Sequence, residues 1–252
     1  MKFTDHLNRT IELKSKPTRI VSLVPSVTET VADLGIKENL VAVTRFCKYP
    51  SNVISKLPII GGPKNIDVNK IVDLHPDLVI AVKEENNKEQ VLTLSEKVPV
   101  IVFNITSIDD SIDMLRCLGT IFEATEISER FIKAIKKNIN DIVTPVVKKK
   151  TVYLIWKNPW IAAGKTTFIG SMMRVAGFEN IIQGRYPEIS EKVLDQADTI
   201  LLATEPYHFK EIDRKELAGK FPDKEIKVVD GEMFTWYGTH MLQAIDYFQL
   251  LR

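Results

Sequence analysis

One amphipathic stretch, residues 123–147, constrains this chain more than any other, because the segments on either side of it read as the same kind of layered unit. Ile127, Phe131, Ile135, Ile139, Ile142 and Val146 recur at helical spacing, with Lys133, Lys136, Lys137 and Asn140 on the other faces. Thr125 or Ser128 can cap the start, Glu123, Glu126 and Glu129 sit near the positive end of the dipole, and Pro145 stops the helix. The spacing alone also fits a surface helix of one sheet domain; the symmetry around it favours a bridge. No proline or glycine pair interrupts residues 127–143, so the helix resists bending, and closure of two lobes about it is expected to be small.

A chain of 252 residues has room for one large domain or two lobes, each with its own core. The expected division is an N-terminal α/β lobe at 1–122, the bridging helix at 123–147 and a C-terminal α/β lobe at 148–252. Lys plus Arg number 34 against 33 for Asp plus Glu, a formal charge of +1 that provides no general field for nucleic acid or an anionic membrane. Cys47 and Cys117 stand apart and form neither a C-x-x-C pair nor a disulfide framework. The first residues carry Lys2, Asp5, Arg9, Glu12 and Lys14, so the sequence as given shows no apolar leader and no membrane span, which predicts a cytoplasmic protein; a leader already removed would place it in the periplasm or on a lipid anchor.

The pattern alternates. Residues 3–13 predict a hairpin turning at 7–9; strands are expected at 19–24, 40–44, 77–82 and 98–103, and helices at 67–75, 87–97 and 107–122, with Ser26 capping a further helix that Gly35 closes. Beyond the bridge, strands are expected at 151–156, 199–203 and 226–229, and helices at 167–176, 190–196, 210–217 and from 239 onward. Such alternation predicts parallel sheets covered on both faces. A weak internal repeat supports two related lobes: Lys70-Ile71-Val72-Asp73 leads to Asp77-Leu78-Val79-Ile80, as Lys192-Val193-Leu194-Asp195 leads to Asp198-Thr199-Ile200-Leu201.

Loops at the carboxyl ends of such strands hold ligands, and here they are aromatic. Phe46, Tyr49, Lys64, Lys83 and Glu84 fall in those of the first half, Trp160, Arg185, Tyr186, Trp236 and Tyr237 in those of the second. Rings with a polar tip suit the wall of a cleft for a large amphipathic ligand. Catalytic patterns fail in turn. Gly164-Lys165-Thr166 resembles the end of a P-loop, but Pro159 occupies the first glycine position. No G-x-S-x-G or H-E-x-x-H occurs, Glu84 and Glu85 read as a solvated turn, and the four histidines lack metal-ligand spacing. His240 is the single candidate axial ligand, against a plain helix-start histidine.

Residues 19–26 (RIVSLVPS), Thr28-Glu29, Gly35, Tyr49-Pro50, Gly61-Gly62, Asp77-Leu78-Val79-Ile80 and Ala162-Ala163-Gly164 closely resemble the substrate-binding proteins of ABC importers for cobalamin, haem and ferric siderophores, the cobalamin branch most closely. Thr4-Asp5-His6-Leu7-Asn8-Arg9-Thr10 is similar to the hairpin that opens their mature domain, so the likeness runs over nearly the whole chain. It implies two α/β lobes with mostly parallel sheets, one rigid helix joining them, a ligand held between the lobes, a monomer and no catalysis. By position, Phe46 and Tyr186 would be cleft aromatics, while Pro63 or Lys64, and Lys83, stand where the cobalamin branch has tryptophans. Lys64, Lys83 and Arg185 suit an anionic chelate or a corrinoid carboxylate.

The expected function is thus non-catalytic binding of a corrinoid, ferric siderophore or haem, with no resident cofactor; the rival is a metal-dependent hydrolase or transferase using the same cleft. In the resembled family each lobe presents a glutamate to permease arginines, and the corresponding positions here are Asn69 and Lys192, with Glu191 one residue away. Such a chain would lack the docking code for an ABC permease and would handle its chelate inside the cell.

Overall fold

The computed structural model describes residues 1–143 and 148–251. Pro145 and Val146, the expected stop and last apolar position of the bridging helix, lie outside the described residues. Two compact units emerge: Met1–Ile105, Asp109–Ile135 and Tyr237–His240 form the first, and Thr106–Ile108, Lys136–Trp236 and Met241–Arg252 the second. The division falls within the helix Thr125–Asp141.

The first unit is built on a four-stranded parallel sheet in the order Leu40–Val43, Ile20–Ser22, Leu78–Val82, Val100–Phe103. Every residue of Ile20–Ser22 and Leu78–Val82 is buried, which is why these segments run apolar without alternation. An antiparallel hairpin, Lys2–Thr4 with Thr10–Glu12, precedes the sheet. Its turn holds Asn8 at φ 60 and closes on buried Asp5, whose carboxylate accepts from the backbone N–H of Leu7 and of Arg9, both at 2.9 Å. The same carboxylate takes the Arg9 guanidinium at 2.7 Å and Val102 N–H at 3.2 Å, docking the hairpin on the last strand.

The helix expected to be capped by Ser26, and so to start at Val27, begins two residues sooner, at Pro25, and Ser26 is buried inside it. Proline is at home there because its fixed φ suits the first turn and its missing N–H would have no partner. The chain then widens into a π turn, Ala32–Ile36, with Gly35 at φ +85. Asp67 and Asn87 cap the helices Val68–Asp73 and Lys88–Ser95, accepting from Lys70 N–H at 3.0 Å and Gln90 N–H at 3.1 Å.

Helix Thr125–Asp141 buries Ser128, Ile132 and Ile135, leaves Lys133, Lys136 and Lys137 exposed, and half-buries Ile127, Phe131 and Ile139. Ser128 is an interior residue rather than a cap: its hydroxyl donates to the Thr125 carbonyl at 3.0 Å. A Cβ on Gly119 would lie 2.1 Å from Ser128 Oγ, so the preceding helix Ile108–Ile121 comes this close only because it has glycine at the contact.

The second unit carries strands in the order Ile161–Ala162, Lys150–Trp156, Thr199–Ala203, Glu225–Val229, with Glu179–Asn180 also pairing Lys150–Trp156. All its pairings are parallel except that of Ile161–Ala162. Val152, Leu154, Ile200, Leu202, Leu194, Phe209 and Leu217 form one core cluster. The internal repeat survives at atomic detail. Asp77 Oδ2 accepts from the N–H of Thr18 and of Arg19 at 2.9 and 3.0 Å, while Asp198 Oδ2 accepts from Lys150 N–H at 2.9 Å, so each aspartate fixes the start of a neighbouring strand. Burial pushes the Asp77 carboxyl up, but these hydrogen bonds hold it below the usual value.

Candidate functional site

Ligands of open parallel sheets bind beyond the carboxyl ends of the strands. At those ends of the first unit, Phe46 is 57% exposed and Tyr49 43% exposed. Phe46 flanks Gly62: a Cβ there would lie 3.8 Å from its ring and 3.6 Å from Arg45 Nε. Gly62 belongs to a small hairpin, Gly61–Gly62 with Asn65–Ile66, that needs glycine at 61, where φ is +98 and a Cβ would meet Asn65 O at 2.3 Å.

The hairpin turn presents Lys64, whose ammonium donates to the carbonyl oxygen of Glu84. Glu84 is half-buried; Lys83 beside it is exposed, with its backbone N–H bonded to Phe103 O at 2.8 Å. Buried Asn86 braces the group, accepting from Val82 N–H at 2.8 Å and donating to Pro63 O at 3.0 Å. Its bracing role has no local sequence signal, since both partners are backbone atoms of other segments. Phe46, Lys64 and Glu84 are thereby brought onto one rim.

In the second unit Arg185 and Tyr186 are exposed, Tyr186 by 40%. Their loop is clamped by residues 162–166: Ala162 N–H donates to Pro187 O at 3.1 Å, Gly164 N–H to Arg185 O at 2.6 Å and Thr166 Oγ1 to Gly184 O at 2.7 Å. A Cβ on Gly164 would sit 2.3 Å from Gly184 O. Gly164-Lys165-Thr166, the P-loop look-alike, is therefore occupied in holding the Arg185-Tyr186 loop. Thr167 then caps the helix Phe168–Val175, its hydroxyl accepting from Gly170 N–H at 3.0 Å.

Trp160 is half-buried and stacks on Phe209, centroids 6.3 Å apart and planes 13° from parallel. Trp156, read in sequence only as the last residue of a strand, is 42% exposed and meets Tyr207 edge to face at 5.6 Å. The signal that would have singled it out is its place, the carboxyl end of a central parallel strand. Trp236 and Tyr237 lie inside, at 6% and 4% exposure. The short helix Glu232–Thr235 turns this segment inward, and the Trp236 indole donates to Glu205 Oε1 at 3.2 Å, an atom that also takes the Thr235 hydroxyl at 2.6 Å.

His240 is buried as well, its Nδ1 2.8 Å from Glu29 Oε2, the geometry of an internal pair rather than of an open axial ligand. Among the described residues, no three His, Cys, Asp or Glu side chains gather to hold a metal. Burial pushes the Cys47 thiol up, in a pocket shared with the hydroxyls of Thr28 and Thr44, and raises that of Cys117 to about 11. Neither thiol is primed as a nucleophile. Asn69 and Lys192 are exposed in the helices Val68–Asp73 and Glu191–Leu194, and Glu191 pairs with Lys220 at 2.6 Å.

Known proteins resemble this chain along most of its length. A cobalamin-binding protein of Halobacterium salinarum is 29% identical over 215 residues, 79% of this chain but 57% of the length of that protein. A possible iron-binding periplasmic solute-binding protein of Staphylococcus epidermidis superposes with a TM-score of 0.79 at 22% identity, over 94% of this chain and 99% of that one. A periplasmic heme-binding protein from Roseiflexus sp. RS-1 gives 0.76 at 22% identity, over 92% and 96%. No helix among the described residues is long and apolar enough to cross a membrane. The family model described as periplasmic binding protein matches residues 20–205, and the chain belongs to that family.

Proposed function

We propose that this chain is a non-catalytic binding protein for a metal chelate, either a corrinoid, a ferric siderophore or a haem, serving an ABC importer. One observation carries the reading: each unit sets exposed rings at or beside the carboxyl ends of its parallel strands, Phe46 and Tyr49 in the first, Trp156 and Tyr186 in the second. The relatives' described ligands, cobalamin, heme and iron, are all metals or metal-bearing bodies, and the first two carry the metal inside a large organic ring. Aromatic walls suit such a body. The rival enzyme reading needs a positioned nucleophile and base or a ligand cluster, and the residues of the two rims supply neither.

Isothermal titration with cyanocobalamin, haemin and ferric siderophores tests the proposal. A saturable heat with one of them, without chemical change of the probe, supports it; silence with all of them, alongside turnover of a small metabolite, overturns it. The partner would be an ABC permease that accommodates Asn69 and Lys192 in place of docking acids. Fractionation of the native host separates this from a cytoplasmic role: recovery with the membrane or periplasm fits the importer, and recovery in the cytosol fits a chelate handler inside the cell.

A further inference from the structure

We propose that the chelate bound by this chain is an anion, and that Arg45 and Lys83 select it by charge. The inference rests on the chelate-binding reading above and adds the sign of the ligand. The strands Leu40–Val43 and Leu78–Val82 run into these two cations at their carboxyl ends, Lys83 at once and Arg45 after Thr44. Both side chains are exposed, and among the described residues neither donates to a carboxylate or a carbonyl. Arg9 holds Asp5, Arg116 holds Asp113 and Glu129, and Arg214 holds Glu211, whereas Arg45 stands past a strand end next to an exposed ring. With a formal charge of only +1 overall, unpaired cations at a strand end are a local arrangement and not an overflow of positive charge.

Their surroundings point the same way. Arg45 Nε and the Phe46 ring both flank Gly62, whose hairpin also presents Lys64. Lys64 donates to the backbone carbonyl of Glu84, which fixes the ammonium without cancelling its charge. Glu84 and Glu85, the carboxylates of that loop, are half-buried and have interactions of their own. A ring takes the apolar body of a ligand, while a guanidinium and two ammonium groups take its anionic oxygens through charge-assisted hydrogen bonds. A neutral ligand seated on Phe46 would strip water from these cations and return only uncharged acceptors, weaker partners than anionic oxygens.

Matched pairs of probes isolate the charge. Cyanocobalamin carries side-chain amides where dicyanocobyrinic acid carries carboxylates; ferrichrome is a neutral ferric tris-hydroxamate, against the negative charge of a ferric tris-catecholate. In isothermal titration the anionic member of at least one pair should bind about tenfold tighter or more, and that advantage should shrink in about 0.5 M salt. Arg45→Gln and Lys83→Gln should each weaken the anionic probe about three- to tenfold while leaving its neutral counterpart within about twofold. Both positions are exposed, so the variants should melt as the parent does, and the salt series on the unchanged chain reads the charge independently. If the neutral members bind as tightly and neither substitution nor salt matters, the anion inference fails while chelate binding stands. If no probe of either kind binds, both readings fall together.

Discussion

His240 Nδ1 and Glu29 Oε2 meet at 2.8 Å inside the first unit although 211 positions separate them in sequence. The imidazole is 2% exposed and the Glu29 carboxyl 8%. Around this pair the turn Gly238–His240 lies against the helix Pro25–Val31: Thr239 N–H donates to Thr30 Oγ1 at 3.3 Å, and a Cβ on Gly238 would fall 2.0 Å from the same oxygen, while Gly238 N–H donates to Ser111 Oγ of the helix Ile108–Ile121 at 2.8 Å. Residues 237–240 thus return to complete the first unit, and a buried polar pair fixes where they do so.

Removing one member of a buried pair leaves the other desolvated without that partner. Glu29→Ala or His240→Ala should each lower stability by about 3 kcal/mol in urea unfolding. The double variant should cost clearly less than the sum of the two, because the second deletion breaks nothing further. Strict additivity, or single losses below about 1 kcal/mol, would show that the pair is not what holds the turn.

Gly164 makes a second test, because it couples stability to the rim. The Cβ of Gly164→Ala would collide with a backbone oxygen, Gly184 O at 2.3 Å, and backbone cannot rotate away as a side-chain end can. A loss of about 2 kcal/mol is expected, together with weaker chelate binding as the Arg185-Tyr186 loop is pushed out. Gly184→Ala is the contrast: φ is +74 with nothing within 4 Å, so backbone strain alone should cost about 1 kcal/mol. Thermal melts and titration calorimetry on the two variants measure both quantities.

How far the chain could be read from its residues depends on which signals are local. The central strands were legible because double-sided burial forces apolar runs such as Leu78–Val82, and the helix starts at Asp67, Asn87 and Thr167 were legible because capping is a contact within three residues. Two-residue strands such as Ile161–Ala162 and Glu179–Asn180 leave no periodicity to detect. For the rim, the sequence identified aromatic loops but not the side on which each ring falls. Phe46 and Tyr186 are exposed, whereas Trp236 and Tyr237 turn inward on one helical turn, and Trp156 was hidden as a strand residue. Arg45 was hidden for another reason: an unpaired cation is defined by the absence of partners, which only the folded chain reveals.

Glu225 predicts an acid-sensitive contribution in the second unit. Partial burial pushes its carboxyl up, but hydrogen bonds from Lys149 at 2.8 Å and from Lys227 and Thr199 outweigh that and hold it down at about 2, from 4.5 when unperturbed. The unfolded chain therefore takes up the proton first, near pH 4.5, and the stabilisation present above that value is lost as pH falls toward 2. Because the side chain is 34% exposed, solvent screening limits the effect to about 1 kcal/mol. Glu225→Gln should be less stable than the parent at pH 6, and the gap should close toward pH 2. A gap independent of pH over that range would rule out the ionised carboxylate as its source.

Trp156 should be the tryptophan that reports the ligand. Of the three, Trp236 is buried with its indole on Glu205, and Trp160 is half-buried against Phe209, but Trp156 stands 42% exposed beside Tyr207 at the end of its strand. Metal chelates with visible absorption quench indoles by proximity, and a ring in the wall itself is quenched more than one behind it. Trp156→Phe should therefore remove most of the fluorescence change seen on titrating a bound chelate, while Trp236→Phe should leave most of it. The substitution keeps an apolar ring at a partly exposed position, so stability should change by less than about 1 kcal/mol. Iodide, which reaches only exposed indoles, provides the control without any ligand: its quenching should also fall mainly in Trp156→Phe. If iodide quenching is lost in that variant but chelate quenching is retained, Trp156 is exposed yet lies away from the ligand, and the second unit's binding wall must be sought at Tyr186 instead.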